Sequence, residues 1–235
     1  MRPSVFAPLI SLSGVRLHPG ADPGSLDEFE RSYGVQLPID HRSALKESNG
    51  VQAYGGYLRL FGVGAGANVD IGIWNDFNCW KFAWEYRCSD FMCFAETAWG
   101  DQYAYYIPAL MQGSSQVYFL DFLSMTPTVV ASSFTDFFEK EFVRSAGNPY
   151  DVMIKEARQV LGDLETGEHI IYNPSPLLGG AEESANIQKM EARMAIICNG
   201  DIASQLDAGP ADGSVRTVTP YEDREGRMRL QLTWA

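Results

Sequence analysis

Residues 89–107 read SDFMCFAETAWGDQYAYYI, and their reading decides the fold. Two apolar, strand-forming runs, 91–94 and 103–107, flank a turn that carries Glu96, Trp99, Gly100 and Asp101. Aromatic and apolar strand formers on both sides of a glycine-bearing turn predict a β-hairpin. So many aromatic side chains also predict that this hairpin is buried at the centre of a sheet.

Further strands follow on its C-terminal side, at 117–122 (VYFLDF) and 128–131. Ser133 then caps a helix whose Phe134, Phe137, Phe138 and Phe142 form one apolar stripe, which is a core pattern. On the N-terminal side, 57–61 (YLRLF) reads as a strand entered through Gly55-Gly56, and Phe77, Trp80 and Trp84 predict a short helix over 76–86. Gly62, Gly64 and Gly66 lack the spacing of a phosphate-cradling loop and are read as a flexible connection. Earlier still, Ser25-Leu26-Asp27-Glu28 is a capping box opening a helix with Leu26, Phe29 and Tyr33 on one face and Gly34 at its end. A second helix starts at Pro38 and ends at Asn49-Gly50, whereas 1–24, with four prolines, is an irregular lead-in.

Gly147-Asn148-Pro149 is the clearest break in the chain, and it sets expected domains of 1–147 and 148–235. Past it, Tyr150, Ile154, Ala157 and Leu161 mark a helix stopped by Gly162. After the loop at 173–184 the apolar period changes from 3.6 to 2. Met190, Ala192, Met194 and Ile196 alternate with Lys189, Glu191 and Arg193, and Asn199-Gly200 then lies between two such runs. That dipeptide is the strongest short hairpin signal, so 190–234 is predicted as a four-stranded antiparallel unit with a type I′ turn. Met190, Met194 and Ile197 also fit a helical stripe, the competing pattern. The second strand pair is expected at 215–221 and 228–234.

The 235 residues are 46% hydrophobic, which places the chain among ordinary globular proteins. No apolar run approaches the ~18–20 residues of a membrane span, and the N-terminal apolar patch is broken by Pro8, so a cytoplasmic protein is expected. Cys79, Cys88, Cys93 and Cys198 lie among apolar residues without a close pair, and His18, His41 and His169 are scattered. Reduced, buried thiols and no metal or other cofactor follow from that spacing. The formal charge is −12, which argues against nucleic acid or an anionic membrane as partner. Between Cys88 and Glu139 there is no Lys or Arg, yet Asp90, Glu96, Asp101, Asp121, Asp136 and Glu139 all fall there. Such a stretch is either a solvated face or a surface for a basic partner.

Glu96 and Asp101 are the one carboxylate pair that brackets a turn, and Asp101 is equally explained as a turn former. No nucleophile elbow and no Cys–His arrangement is present, so the expectation is a protein without catalytic activity.

Over 25–147 the chain resembles the SMI1/KNR4 family, the SUKH superfamily. Leu37-Pro38-Ile39-Asp40 with Leu45 and Asn49-Gly50 resembles the family's first motif, and Arg59-Leu60-Phe61-Gly62 its following strand. Phe94-Ala95-Glu96 with Trp99-Gly100-Asp101-Gln102-Tyr103 and Tyr105 resembles the later hairpin; Ser132-Ser133-Phe134 with Phe137-Phe138 resembles the closing helix. His41 departs from the pattern, which has an aromatic residue there, and the segment from Asn148 onward lies outside it. The resemblance implies an α+β fold, a mainly antiparallel sheet covered by helices, here with a C-terminal antiparallel β extension. It implies an immunity protein that binds and neutralises a basic toxin of nuclease or deaminase type; a regulatory scaffold is the alternative, a carboxylate-dependent enzyme a more distant one. Exposed aromatic anchors beside charge compose binding hot spots. On that basis the expected docking face comprises Asp70, Trp74, Asp76, Asp90, Glu96, Trp99, Asp101 and Tyr103, with the acidic stretch 163–183 as the next choice.

Overall fold

Seven strands pair in sequence order, each antiparallel to the next: β1 (Arg16–Leu17), β2 (Val51–Ala53), β3 (Leu58–Leu60), β4 (Phe91–Thr97), β5 (Gln102–Tyr106), β6 (Val117–Leu120) and β7 (Pro127–Ala131). The computed structural model describes residues 4–211 and 213–235. The expected hairpin is β4–β5, at the centre of this sheet, and every residue of β4 is buried. Its near-continuous apolar run is what a strand covered on both faces requires.

One face is covered by α3 (Ile39–Glu47) and the long helix after β7, against which Phe6, the N-cap of α1 (Ala7–Ile10), packs through Phe138; α2 (Pro23–Tyr33) precedes α3 and donates from the Tyr33 hydroxyl to Gly72 O. Asp22, not Ser25, is the N-cap of α2; it accepts from Ser25 N at 3.1 Å, with Pro23 at the first helical position. Ser133 caps α6 (Phe134–Phe137) as expected, and the helix continues through a π-helical segment, Phe138–Val143, into α7 (Arg144–Gly147). Its Phe stripe packs on Phe94 and Tyr103; the Phe94 and Phe137 rings meet edge-on at 5.4 Å.

On the other face the expected helix over 76–86 is replaced by α4 (Ile71–Asn75) and a 3₁₀ turn, Lys81–Trp84. Asp70 caps α4 through Ile73 N at 2.7 Å and so starts the helix early. Trp80 and Trp84 are fully buried, whereas Phe77 is exposed and leaves the expected stripe. After the short α5 (Ile107–Leu110) and the sheet's last strands comes α8 (Val152–Leu161), stopped at Gly162 as expected but starting only after an Asp151 cap, so that Tyr150 lies outside the helix and is exposed. A separate two-stranded sheet then joins β8 (Glu168–Tyr172) to β9 (Ile187–Glu191).

The predicted Asn199-Gly200 hairpin does not form. Residues Ala192–Ala208 are a seventeen-residue helix, α9, whose N-cap Glu191 accepts from Arg193 N and Met194 N at 3.1 and 2.7 Å. The helical stripe prevails because α9 is sandwiched: Ala192, Ile196, Ile197 and Ala203 share the core of the seven-stranded sheet. Gly200 serves close approach rather than a turn. A Cβ there would lie 2.9 Å from Ala83 backbone and from the Trp84 indole nitrogen, which donates to Ile196 O at 3.1 Å.

The last predicted strand pair is present as β10 (Val215–Glu222) and β11 (Met228–Trp234). Here α9 stands in for a third strand. Leu230 N donates to Asp201 Oδ2 at 2.7 Å, Leu232 N to Gln205 Oε1 at 2.9 Å, and Gln205 Nε2 to Leu230 O at 2.7 Å. Leu230 thus points its backbone away from β10, and so does its cross-strand partner Pro220.

Candidate functional site

The turn between β4 and β5 sits where the sheet meets the segments after residue 147. Gly100 takes φ +95°, and its Cα faces His169; a Cβ would lie 3.2 Å from His169 Nδ1. Thr97 Oγ1 donates to Asp101 Oδ2 at 2.6 Å, and Phe122 N donates to Asp101 Oδ1 at 3.0 Å. Burial raises the Asp101 carboxyl to about 7, against those two hydrogen bonds and with the fields of Asp121 and Asp151 adding to it.

Behind the turn lies a fully buried polar group. Arg59 on β3 is the cross-strand partner of Glu96 on β4, and its Nε lies 2.9 Å from Glu96 Oε1. His169 Nε2, from β8, lies 3.0 Å from Glu96 Oε2, and Gln102 Nε2 donates to the same oxygen at 3.2 Å. Gln102 in turn accepts from the Trp74 indole at 2.8 Å. Burial alone would raise Glu96, but Arg59 and the His169 and Gln102 contacts hold it below the usual carboxylate range. Burial lowers His169, more than Glu96 opposes it, so the ring is neutral. Glu96 is therefore the ionised partner of Arg59, with the neutral His169 ring beside it. Arg59 also donates to Glu168 O at 2.6 Å, which ties β8 to the sheet. This group has no opening to solvent: Arg59, Glu96, Gln102 and His169 are all 0% exposed.

On the opposite face, a pocket of about 250 Å³ opens at the end of the sheet. Asp101, Tyr103, Phe119, Glu141 and Asp151 line it, along with Trp99 and Ile154. Asp151 is fixed by the Trp99 indole, which donates to its Oδ2 at 2.9 Å, and Trp99 stacks on Tyr172 at 4.6 Å. Burial, helped by Asp101 and Glu141, pushes the Tyr103 hydroxyl well above its ordinary value.

The expected docking face is dispersed by the fold. Trp74, Glu96, Trp99, Asp101 and Tyr103 are buried, so they are not exposed anchors or surface charges. Glu96, Trp99, Asp101 and Tyr103 belong to the central hairpin, covered on both faces, and Trp74 on α4 is turned onto it through Gln102. Asp70 is half-buried and occupied as the α4 cap, while Asp76 and Asp90 are exposed. Glu96 and Asp101 share no partner and no cavity, because the pocket is lined by Asp101 and not by Glu96. Among the described residues no group of three His, Cys, Asp or Glu side chains is close enough to hold a metal ion. His169, Gln102, Glu141 and Asp151 were not singled out as site residues by sequence; His169 lies 73 positions from Glu96 (169 minus 96), and no local spacing links them.

Residues 20–140, just over half of the chain, match the sequence pattern of the SMI1 / KNR4 family (SUKH-1). The chain belongs to the SMI1/KNR4 family. This family consists of immunity-type protein-binding modules and is generally non-catalytic. The SMI1/KNR4 module matched here contains Arg59, Glu96 and Asp101, whereas His169 and Asp151 come from beyond it. The crystal structure of Atu4351 from Agrobacterium tumefaciens superposes with a TM-score of 0.55, covering 95% of this chain and 96% of that one at 9% identity. The likeness is one of fold, and it extends past the SMI1/KNR4 match into the C-terminal segments. No curated protein matches the chain. No helix among the described residues is long and apolar enough to cross a membrane.

Proposed function

We propose that this SMI1/KNR4 protein is an immunity protein that binds and neutralises a basic toxin of nuclease or deaminase type, and is not itself an enzyme. Its family membership over residues 20–140 carries the reading. The formal charge of −12 supports it, since a nuclease holds its phosphate substrate with basic groups and an acidic inhibitor complements them. In this reading residues 1–147 are the family module and 148–235 an extension folded onto it. Docking uses the exposed members of the expected face, Asp76 and Asp90, and not its buried aromatic residues.

The test is co-expression with the product of the adjacent gene. A stable complex and rescue of growth support the reading; a toxic neighbour that neither co-purifies nor is neutralised overturns it. With the complex in hand, Asp76→Lys with Asp90→Lys should slow association at low salt, and the difference should shrink at high salt. Unchanged association at low ionic strength would move the docking face elsewhere on the surface.

A further inference from the structure

The pocket beside the β4–β5 turn has no role in docking through Asp76 and Asp90, yet its chemistry is one-sided. Its charged lining residues are Asp101, Glu141 and Asp151, and no Lys, Arg or His lines it among the described residues. Asp101 is 7% exposed and lines the pocket from the β5 side of the turn. The Glu141 side chain, in the π-helical segment, makes no hydrogen bond and no ion pair among the described residues. Tyr103 is also only 7% exposed, and its hydroxyl has no hydrogen-bond partner among the described residues. The Tyr103 hydroxyl and the half-buried Glu141 carboxylate thus face the cavity without a protein partner, so a donor entering the pocket meets acceptors that no protein group already uses. Trp99, Phe119 and Ile154 supply apolar lining beside these acceptors. The nearby cation Arg144 does not line the pocket; its guanidinium rests on the Tyr150 ring, 3.8 Å from the centroid.

We infer that this pocket binds a primary ammonium group on a short alkyl stem. The ammonium, a compact charge with three rotatable donors, would donate to Asp101, Glu141 and Tyr103 while the stem lies on Trp99 and Ile154. A guanidinium fits less well, because its rigid planar fork needs paired coplanar acceptors, whereas the pocket offers single acceptors on separate elements. A metal ion fits less well still, since the carboxylates are not clustered at ligand distances. The ammonium could be a free amine or a lysine side chain of a partner, and the inference is independent of the toxin reading.

The test uses the full-length protein alone, followed by the NMR shift of the Trp99 indole N–H. The probes are n-butylamine, Nα-acetyl-lysine N-methylamide and the neutral match 1-butanol. Saturable shifts are expected with an amine, and 1-butanol should bind at least about tenfold more weakly, the loss of one charge-assisted contact. Glu141→Gln, which removes no internal bond, should weaken the amine about tenfold, and Tyr103→Phe should weaken it too. Glu139→Gln, a charge on the same helix outside the pocket, should leave it unchanged. Saturation by the lysine amide alone assigns the site to a partner's lysine, and saturation by butylamine assigns it to free amines. Absence of saturation with both amines, equal binding of 1-butanol, or an unaffected Glu141→Gln overturns the inference.

Discussion

Replacing His41 with Phe should remove one side chain's share of this protein's sensitivity to mild acid, about 3 kcal/mol between pH 7.5 and 4.5. His41 is fully buried on α3, stacked on Phe134 at 4.3 Å and 5°, with its Nδ1 3.1 Å from the Tyr105 hydroxyl. Its Nε2 has no partner, and burial lowers the ring from 6.5 to about 3, with Asp40 opposing the shift. A folded-state pKa below the unfolded one means that the unfolded chain takes up the proton first. Stability is then intact above pH 6.5 and falls as the pH drops toward 3. Between pH 7.5 and 4.5 this amounts to a loss of about 3 kcal/mol from this one side chain. In the Phe variant that loss vanishes, whatever the variant's stability at pH 7.5, where the orphaned Tyr105 hydroxyl costs about 1–3 kcal/mol. Urea unfolding followed by circular dichroism at both pH values, on wild type and variant, measures the difference. Groups common to both proteins, such as Asp101 and His169, cancel in the comparison. If the two proteins lose stability in parallel, His41 is not the buried neutral ring described here.

Asp101 should act with the opposite sign. Its folded pKa of about 7 against an unfolded 3.8 gives stability that is complete below pH 3.8 and lost as the pH rises through 7. Asp101→Asn keeps the bond from Phe122 N and reverses the one with Thr97, whose hydroxyl then accepts from the amide, and its advantage over wild type should grow by about 3 kcal/mol from pH 5 to pH 8.5 in urea titrations. Glu96→Gln should destabilise by about 3–5 kcal/mol by leaving the Arg59 charge uncompensated in the core, and adding Arg59→Met should recover part of that loss; a Glu96→Gln variant of wild-type stability would refute an ionised pair. Burial raises the Cys88 thiol to about 12 and the Cys93 and Cys198 thiols to about 11, so iodoacetamide at pH 8 should modify them slowly in the folded protein and rapidly in urea, as intact mass will record.

Local signals carried the N-terminal part of the fold. The glycine turn at Gly100, the Ser133 cap and the Phe134–Phe142 stripe each act within a few residues, and the structure uses each as the sequence suggests. Asn199-Gly200 misled because its turn propensity is worth less than the packing of α9 between the sheet core and the Lys81–Trp84 turn, which no local pattern reports. The docking face misled for a related reason. Trp74 and Trp99 look like anchors when read singly, but their indoles are committed to Gln102 and Asp151. The pocket was legible only in part: Asp101 and Tyr103 belong to the hairpin motif, while Glu141 and Asp151 reach it through helices placed by long-range contacts.

The ribbon of β10 and β11 shows how a strand pair can be guarded without closing a barrel. A two-stranded ribbon exposes two rows of backbone groups, and each row invites a strand from another molecule. Asp201 and Gln205 occupy one row from the side. On the other, Pro220 removes the donor that a newcomer would need at mid-strand. Recruitment of a second chain at this end would meet a filled edge on one side and an interrupted one on the other. Resistance to edge-to-edge association at high concentration thus rests on two polar side chains and one pyrrolidine ring, and not on burial of the ribbon.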